Sequence, residues 1–123
     1  MPAAVEKEES GLLPKRERIV SRGRIKGLLK RKRFHFSSPL LNVVAEENNN
    51  SFPRWVVICS KRLGNAVVRN RTRRTTLAAI SNIRLNINKN IDIVVIPKST
   101  GLGSRALEVI LTGSLAKINE VYS

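Results

Sequence analysis

Residues 54–74 read RWVVICSKRLGNAVVRNRTRR and place a strand, a turn and a helix in direct succession. The β-branched and aromatic residues of Arg54–Ser60 favour a buried strand. Gly64 lets the chain turn, and Asn65 is a suitable N-cap for a helix that we expect to run to about Ile83. A strand that leads into an amphipathic helix predicts an α/β (α+β) fold in which helices cover a sheet.

The two sides of this helix differ in polarity. One side is predicted to face the core, because uncharged residues recur there at helical spacing. These residues are Val68, Thr72, Thr75 and Ala79. On the opposite side Arg69 and Arg73 lie one turn apart, and Asn70 and Arg74 form a second ridge beside them.

The other elements are predicted from apolar periodicity and turn residues. In chain order they are a helix over Ile19–Leu29, an approach segment at Phe34–Pro39, a strand at Leu40–Ala45, a hairpin connection at Glu46–Ser51, a strand at Ile91–Ile96 and a helix over about Ser104–Val121. The hairpin predicts an antiparallel meander. The last helix aligns apolar residues on one face, namely Leu107, Leu111, Leu115, Ile118 and Tyr122. Gly101 and Gly103 precede it and are interpreted as an ordinary helix entry.

A single domain is expected from 123 residues that are 41% hydrophobic. Residues 1–11 are small, charged and without periodicity, which predicts a disordered lead-in, and residues 12–123 then form the domain. The acidic start and the apolar pattern indicate neither a signal peptide nor a membrane span. Trp55, Phe34 and Phe36 are assigned to a mainly aliphatic core in preference to stacking on nucleotides.

The charge of the chain predicts a nucleic-acid partner. Lys and Arg number 23 against 9 Asp and Glu, which gives a formal net charge of +14, and no acid occurs between Asn48 and Ile91. Arginine presents a planar fork of donors that matches phosphate oxygens. The predicted RNA-binding residues are Lys61, Arg62, Asn65, Arg69, Asn70, Arg71, Arg73 and Arg74. A merely solvated helix face is the simpler alternative, but such faces usually mix both signs of charge.

Catalysis by protein side chains has no candidate residues. Cys59 is the single cysteine and is interpreted as a buried, reduced thiol of a cytosolic protein. His35 is the single histidine and has no partners for a metal site or a general base. We therefore predict no catalytic residue and no metal ligand in the protein.

Ser60–Arg74, which reads SKRLGNAVVRNRTRR, resembles the Arg-Asn-Arg signature of the bacterial ribonuclease P protein family, and the resemblance extends over about residues 12–121. It implies a two-layer sandwich with a mixed, largely antiparallel sheet and a left-handed βαβ crossover that contains the signature helix. It also implies a cytoplasmic, non-catalytic subunit that binds a catalytic RNA through this helix and the 5′ leader of precursor tRNA in a neighbouring cleft. Mg²⁺, held mainly by the RNA, would activate water for cleavage.

The chain departs from the family at the implied leader cleft. Where the family tends to have aromatic residues, this chain has Ile25, Leu29 and Val43. These three are the candidate leader-cleft residues, and they lack rings on which bases could stack. Leu77 stands where the family often has another arginine, and Lys32 replaces a common glycine.

Two other classes of protein share the basic composition. A ribosomal protein could use the same helix to brace ribosomal RNA, and the RNA that co-purifies would distinguish it. A DNA-binding regulator would need a helix that reads bases in the major groove. The predicted helix offers many phosphate contacts and few side chains suited to reading bases.

Overall fold

The computed structural model describes residues 13–87 and 89–122. Its elements are α1 (Arg22–Arg31), β1 (Phe34–Ser37), β2 (Leu41–Glu47), β3 (Arg54–Val57), α2 (Ala66–Ile83), β4 (Ile91–Pro97) and α3 (Ser104–Val121). Short 3-10 turns lie at Lys15–Glu17, Lys61–Leu63 and Arg84–Asn86. The predicted lead-in at residues 1–11 lies outside the described residues.

The four strands form one mixed sheet in the order β1-β2-β4-β3. β2 pairs antiparallel with β1 and β4, whereas β3 pairs parallel with β4. The predicted fold class is confirmed, but the antiparallel meander and the hairpin at Glu46–Ser51 are wrong, because β4 lies between β2 and β3. Nearly every residue of β4 is buried, and a strand that is apolar on both sides belongs in the interior of a sheet.

Helix α2 connects the parallel neighbours β3 and β4. The Ile58 N–H donates to the Val95 carbonyl at 2.9 Å, and the Ile58 side chain packs on the α1 side of the sheet. In an L-residue, the direction of the strand and the direction of the side chain together determine to which side the backbone N–H points. These two contacts therefore fix the side of β3 on which β4 lies. Because α2 packs on the opposite face from α1, the crossover is left-handed, which is the rare hand for such a connection.

Both faces of the sheet carry apolar side chains. The larger core lies between one face and helices α2 and α3, and it contains Trp55 with no exposed surface. Phe34 is buried there and Phe36 packs against it, so the core assignment of the three aromatic residues is confirmed. The smaller core lies under α1 and contains Ile19, Leu28, Val44 and Val94. In residues 13–87 and 89–122, no helix is both long and apolar enough to cross a membrane.

The start of α1 differs from the prediction. The Ile19 N–H donates to the Trp55 carbonyl at 2.9 Å, which keeps this part of the chain extended beside β3. Ser21 then caps the helix, and its hydroxyl accepts from the Arg24 N–H at 3.2 Å. The helix therefore begins at Arg22 rather than at Ile19. The segment at Phe34–Ser37, expected only as an approach, is a strand.

The buried side of α2 is shifted by one residue from the predicted stripe. Thr72 and Ala79 are buried as expected, but Thr76 is buried in place of Thr75, and Val68 is only half-buried. Ile80 and Ile83 determine which side of α2 faces the core, because they bury far more apolar surface than a threonine does. Helix α3 buries Leu107, Leu111, Leu115 and Ile118 as predicted, and Tyr122 packs at its end.

Candidate nucleic-acid interface

The entry to α2 is fixed by its own backbone and cap. The Asn65 side chain accepts from the Val68 N–H at 3.0 Å, which gives this predicted RNA-binding residue a structural task. Gly64 has φ of 141°, and a Cβ there would approach the Val68 side chain to 3.1 Å. Only glycine fits this turn comfortably. The Gly64 carbonyl accepts from Arg69 Nη1 at 2.9 Å, so the turn also orients the first arginine of the helix.

The helix presents its basic residues over a broad outer surface. Arg69 and Arg73 are half-buried along one flank, where Arg73 Nη1 donates to Asn70 Oδ1 at 3.3 Å. Asn70 and Arg74 lie further out and are exposed. We call the following residues the signature surface: Lys61, Arg62, Arg69, Asn70, Arg73 and Arg74. Arg71 lies further round the helix, at the edge of a cleft beside α3. The predicted RNA-binding residues thus lie on α2 and on the turn and cap that lead into it, but not on one ridge.

Three acids of the described residues, Glu17, Glu46 and Asp92, neutralise arginines outside α2. Salt bridges engage Arg24, Arg31, Arg33, Arg54 and Arg84. In the part of the chain that the structure describes, none engages Arg69, Arg71 or Arg73. Cations held close together on one helix repel each other unless a polyanion approaches. The arrangement therefore favours phosphate binding at α2 over a solvated helix face.

On the other face of the sheet, an acid–arginine cluster holds α1 in place. Asp92 has no exposed surface and accepts from Arg24 Nε at 2.7 Å, from Arg54 Nε at 2.8 Å and from Asn48 Nδ2 at 2.7 Å. Arg24 also donates to Glu46 and to the Glu47 carbonyl. One guanidinium of α1 thus contacts two neighbouring strands, β2 and β4.

The protonation of the cluster follows from these contacts. Burial alone would raise the pKa of Asp92, but hydrogen bonds from Arg54, Arg24 and Asn48 outweigh it, and the pKa is lowered. The hydrogen bond from Arg31 is the main reason that the pKa of Glu46 falls to about 2. Both carboxylates are therefore ionised at neutral pH, and their ion pairs with the arginines of α1 are maintained there.

The candidate leader-cleft residues do not come together. Ile25 and Leu29 are half-buried on α1 and pack against the smaller core. Val43 is fully buried in the larger core, on the opposite side of the sheet. Its assignment to the cleft is wrong, because neighbouring residues of a strand point to opposite faces and an alignment error of one residue exchanges them. The residue of β2 that faces α1 is Val44.

The face beside α1 also carries residues that the sequence prediction missed. Val56, Ile58 and Ile96 are half-buried there and pack against the smaller core. His35 pairs with Val44 across β1 and β2 and is exposed, so it lies on the same face. This surface is aliphatic with one imidazole, as expected of a chain without the aromatic residues of the family. The alternation of side chains along β3 and β4 between the two faces of the sheet could have indicated this surface.

Cys59 lies beside the arginine flank. It is half-buried and not fully buried as predicted, and it packs against the larger core. Burial raises the pKa of its thiol, while the positive charges of Arg73 and Arg69 oppose the rise. In residues 13–87 and 89–122, no three His, Cys, Asp or Glu side chains are grouped so that they could hold a metal ion.

Cys59 provides a native probe of the interface. Alkylation of its thiol is expected to slow when RNA is added, because a strand on Arg69 and Arg73 would cover the site and its charge would disfavour the thiolate. Replacing both arginines by alanine should raise the pKa further and slow alkylation of the free protein near pH 8. Mass spectrometry of iodoacetamide-treated protein across pH 7–10 gives the rates. A rate that RNA does not change would contradict the placement of RNA on this flank.

A mixed sheet with an arginine-rich helix in a left-handed crossover defines an α+β nucleic-acid-binding protein. The family model described as Ribonuclease P matches residues 13–118. The chain therefore belongs to the ribonuclease P protein family.

Solved structures agree with this assignment. The Staphylococcus aureus RNase P protein has a TM-score of 0.70 at 23% identity, over 87% of this chain and 98% of that one. The Thermotoga maritima RNase P protein has a TM-score of 0.71 at 20% identity, over 82% and 96%. At these identities the likeness shows the fold. Comparison with curated proteins finds no significant match.

Family membership identifies a protein subunit of ribonuclease P that acts in tRNA 5′ processing. The protein takes part in an endoribonuclease complex and has an RNA partner.

Proposed function

We propose that this subunit does not itself cleave RNA and that it binds a catalytic RNA through the signature surface. The single observation that carries the proposal is the state of Arg69 and Arg73 on this surface, because no salt bridge among the described residues neutralises them. Phosphates of a folded RNA would supply the missing negative charge, and the bound cations would reduce repulsion between RNA segments.

The substrate in this proposal is precursor tRNA, whose single-stranded 5′ leader lies along the sheet face beside α1. Ile25 and Leu29 border that face on the helix side, and Val56, Ile58 and Ile96 border it on the strand side. Aliphatic side chains can contact base faces, although they lack the stacking energy of aromatic rings. The acid–arginine cluster supports this use by holding α1 at a fixed position over the sheet.

Mg²⁺ belongs to the RNA in this proposal. The carboxylates of Glu17, Glu46 and Asp92 are each hydrogen-bonded by arginine side chains, so they do not fit the oxygen-ligand set that Mg²⁺ needs. The RNA would hold the ions mainly through its own oxygens. The complex would work in the cytoplasm, where a lone reduced thiol such as Cys59 is stable.

A precursor tRNA cleavage assay at low Mg²⁺ tests the function. RNA and protein together are expected to cleave the leader, RNA alone should be nearly inactive at this Mg²⁺ concentration, and carefully RNA-free protein should be inactive. Affinity for the RNA should also fall steeply as salt rises, because the contacts are phosphate contacts. Cleavage by protein alone would contradict the non-catalytic role. Co-purification with ribosomal RNA, with no effect on leader cleavage, would favour the ribosomal alternative.

A further inference from the structure

A cleft of about 330 Å³ opens between α2 and the loop that precedes α3. It lies on the flank of α2 away from Arg69 and Arg73, and it belongs neither to the signature surface nor to the sheet face beside α1. None of the described residues that line it is acidic. The lining residues of α2 are Val68, Arg71, Thr72, Thr75 and Thr76, and the loop side is formed by residues 97 and 99–103 with Leu107.

The α2 wall of the cleft offers hydrogen-bond acceptors. The Thr75 hydroxyl donates to the Arg71 carbonyl at 3.0 Å, and the Thr72 hydroxyl donates to the Val68 carbonyl at 2.9 Å. A hydroxyl that has committed its hydrogen can only accept from a ligand. Such a wall suits N–H and NH₂ groups and does not suit phosphate oxygens.

The loop wall leaves open space in the cleft. A Cβ at Gly101 or Gly103 would meet no atom within 4 Å, so space remains in front of the loop backbone. Ser99 and Thr100 add hydroxyl groups that can donate or accept. Leu102 and Leu107 supply apolar surface between these polar groups. An apolar floor with polar edges matches a nucleobase, which is flat, apolar on its faces and polar at its rim.

Arg71 provides the charge at the mouth of the cleft. It is exposed, and no side chain of the described residues pairs with its guanidinium. A phosphate attached to a nucleoside in the cleft could meet this guanidinium as a two-pronged donor. A duplex backbone would use Arg71 but would leave the apolar floor and the threonine acceptors without a partner.

We infer that the cleft binds one unpaired nucleotide of the RNA partner, with its base between α2 and the loop and its phosphate on Arg71. The inference rests on the proposed function, because it specifies that the RNA partner binds this side of α2 through an unpaired nucleotide. The nucleotide would carry a hydrogen-bond donor on the base edge that faces Thr75. The threonine wall therefore adds recognition of an extruded base to the phosphate contacts of the signature surface.

The test uses Gly103→Asp, which puts a short acidic side chain into the open space. Gly103 is the N-cap of α3 and has φ of −76°, so aspartate fits the backbone and is a better cap than glycine. Stability should be equal or higher. Affinity for a bacterial ribonuclease P RNA should fall about tenfold, which corresponds to the loss of one charge-assisted contact. Gly103→Asn, which fills the space without charge, should cause a smaller loss.

Gly113→Asp is the matched control, because Gly113 is exposed on α3 and a Cβ there also meets no atom within 4 Å. It makes the same change of charge and should leave the affinity for RNA within about twofold of the wild type. A photoreactive residue in place of Thr100 should crosslink to one unpaired nucleotide of the RNA. Equal effects of the two aspartate variants, or crosslinks spread along paired regions, would overturn the inference. Failure of the wild type to bind the RNA would instead overturn the proposed function, and this inference with it.

Discussion

Replacing Arg69 and Arg73 together by alanine is expected to weaken binding to the catalytic RNA by about a hundredfold or more, while the protein remains folded. Each arginine can make a charge-assisted contact worth about 1.5 to 3 kcal/mol, so the loss of two corresponds to roughly 3 to 6 kcal/mol. The structural cost is small, because within the described residues the Arg69 side chain donates only to the Gly64 carbonyl and the Arg73 side chain only to exposed Asn70. Relief of repulsion between neighbouring cations offsets part of that cost.

RNA titrations and thermal melts on the same preparations separate binding from folding. Lys117→Ala is the control for loss of a positive charge elsewhere, since Lys117 is exposed on α3 and contributes neither to the signature surface nor to the cleft. Its effect on affinity should be small, as for a distant, screened charge. A double arginine variant that melts early, and binds RNA normally wherever it is folded, would contradict the assignment of these side chains to the RNA.

The part of this interface that could be predicted from the sequence is the part governed by local rules. The cap at Asn65, the bounds of α2 and the basic side of the helix follow from residue type and a period of 3.6. The left-handed crossover came only from the family resemblance. Periodicity carries no information about which strand lies beside which, and this is why β4 was not expected between β2 and β3.

The errors at Val43 and Thr75 have one physical cause. Each residue was assigned to the correct element. The side of the element on which it lies was predicted wrongly, because the wrong neighbouring residues were used to orient the element. A shift of one position in a strand exchanges the two faces of a sheet, so Val43 enters the larger core. In α2, Ile80 and Ile83 rotate the buried side toward Thr76. A prediction weighted by buried apolar area would have avoided the second error.

The acid–arginine cluster could not be predicted, because its members are distant in sequence. Asp92 lies 38 residues from Arg54 and 68 from Arg24. The sequence does contain one usable signal, which is a single acid inside an otherwise apolar strand. Such a residue is rarely buried without partners. The number of arginines in the chain leaves many choices of partner, and only the fold selects Arg24 and Arg54.

Replacing Asp92 by asparagine is expected to destabilise the protein by about 3 kcal/mol, the low end of the range for breaking a buried ion pair. Each carboxylate oxygen of Asp92 accepts hydrogen bonds from two donors. Oδ1 accepts from Asn48 Nδ2 and Arg54 Nε, and Oδ2 accepts from Arg24 Nε and Arg54 Nη2. In asparagine, an NH₂ group replaces one of these two oxygens. Because an NH₂ group can only donate, it would face two donors and form neither hydrogen bond. The partners are about a quarter exposed and can rehydrate, which limits the loss.

Thermal unfolding measures this effect, and a loss of about 3 kcal/mol should lower Tm by about 10 °C or more. Glu17→Gln is the matched control, because Glu17 is also buried but both of its oxygens accept from the single Nη1 of Arg84. Its cost should be smaller, since one amide oxygen can still accept from that nitrogen. The Asp92 variant should also lose affinity for leader-bearing substrate more than for the catalytic RNA, because Arg24 is released from β4 while α2 keeps its own contacts. If the Asp92 variant melts at the wild-type temperature, the cluster does not hold α1 on the sheet.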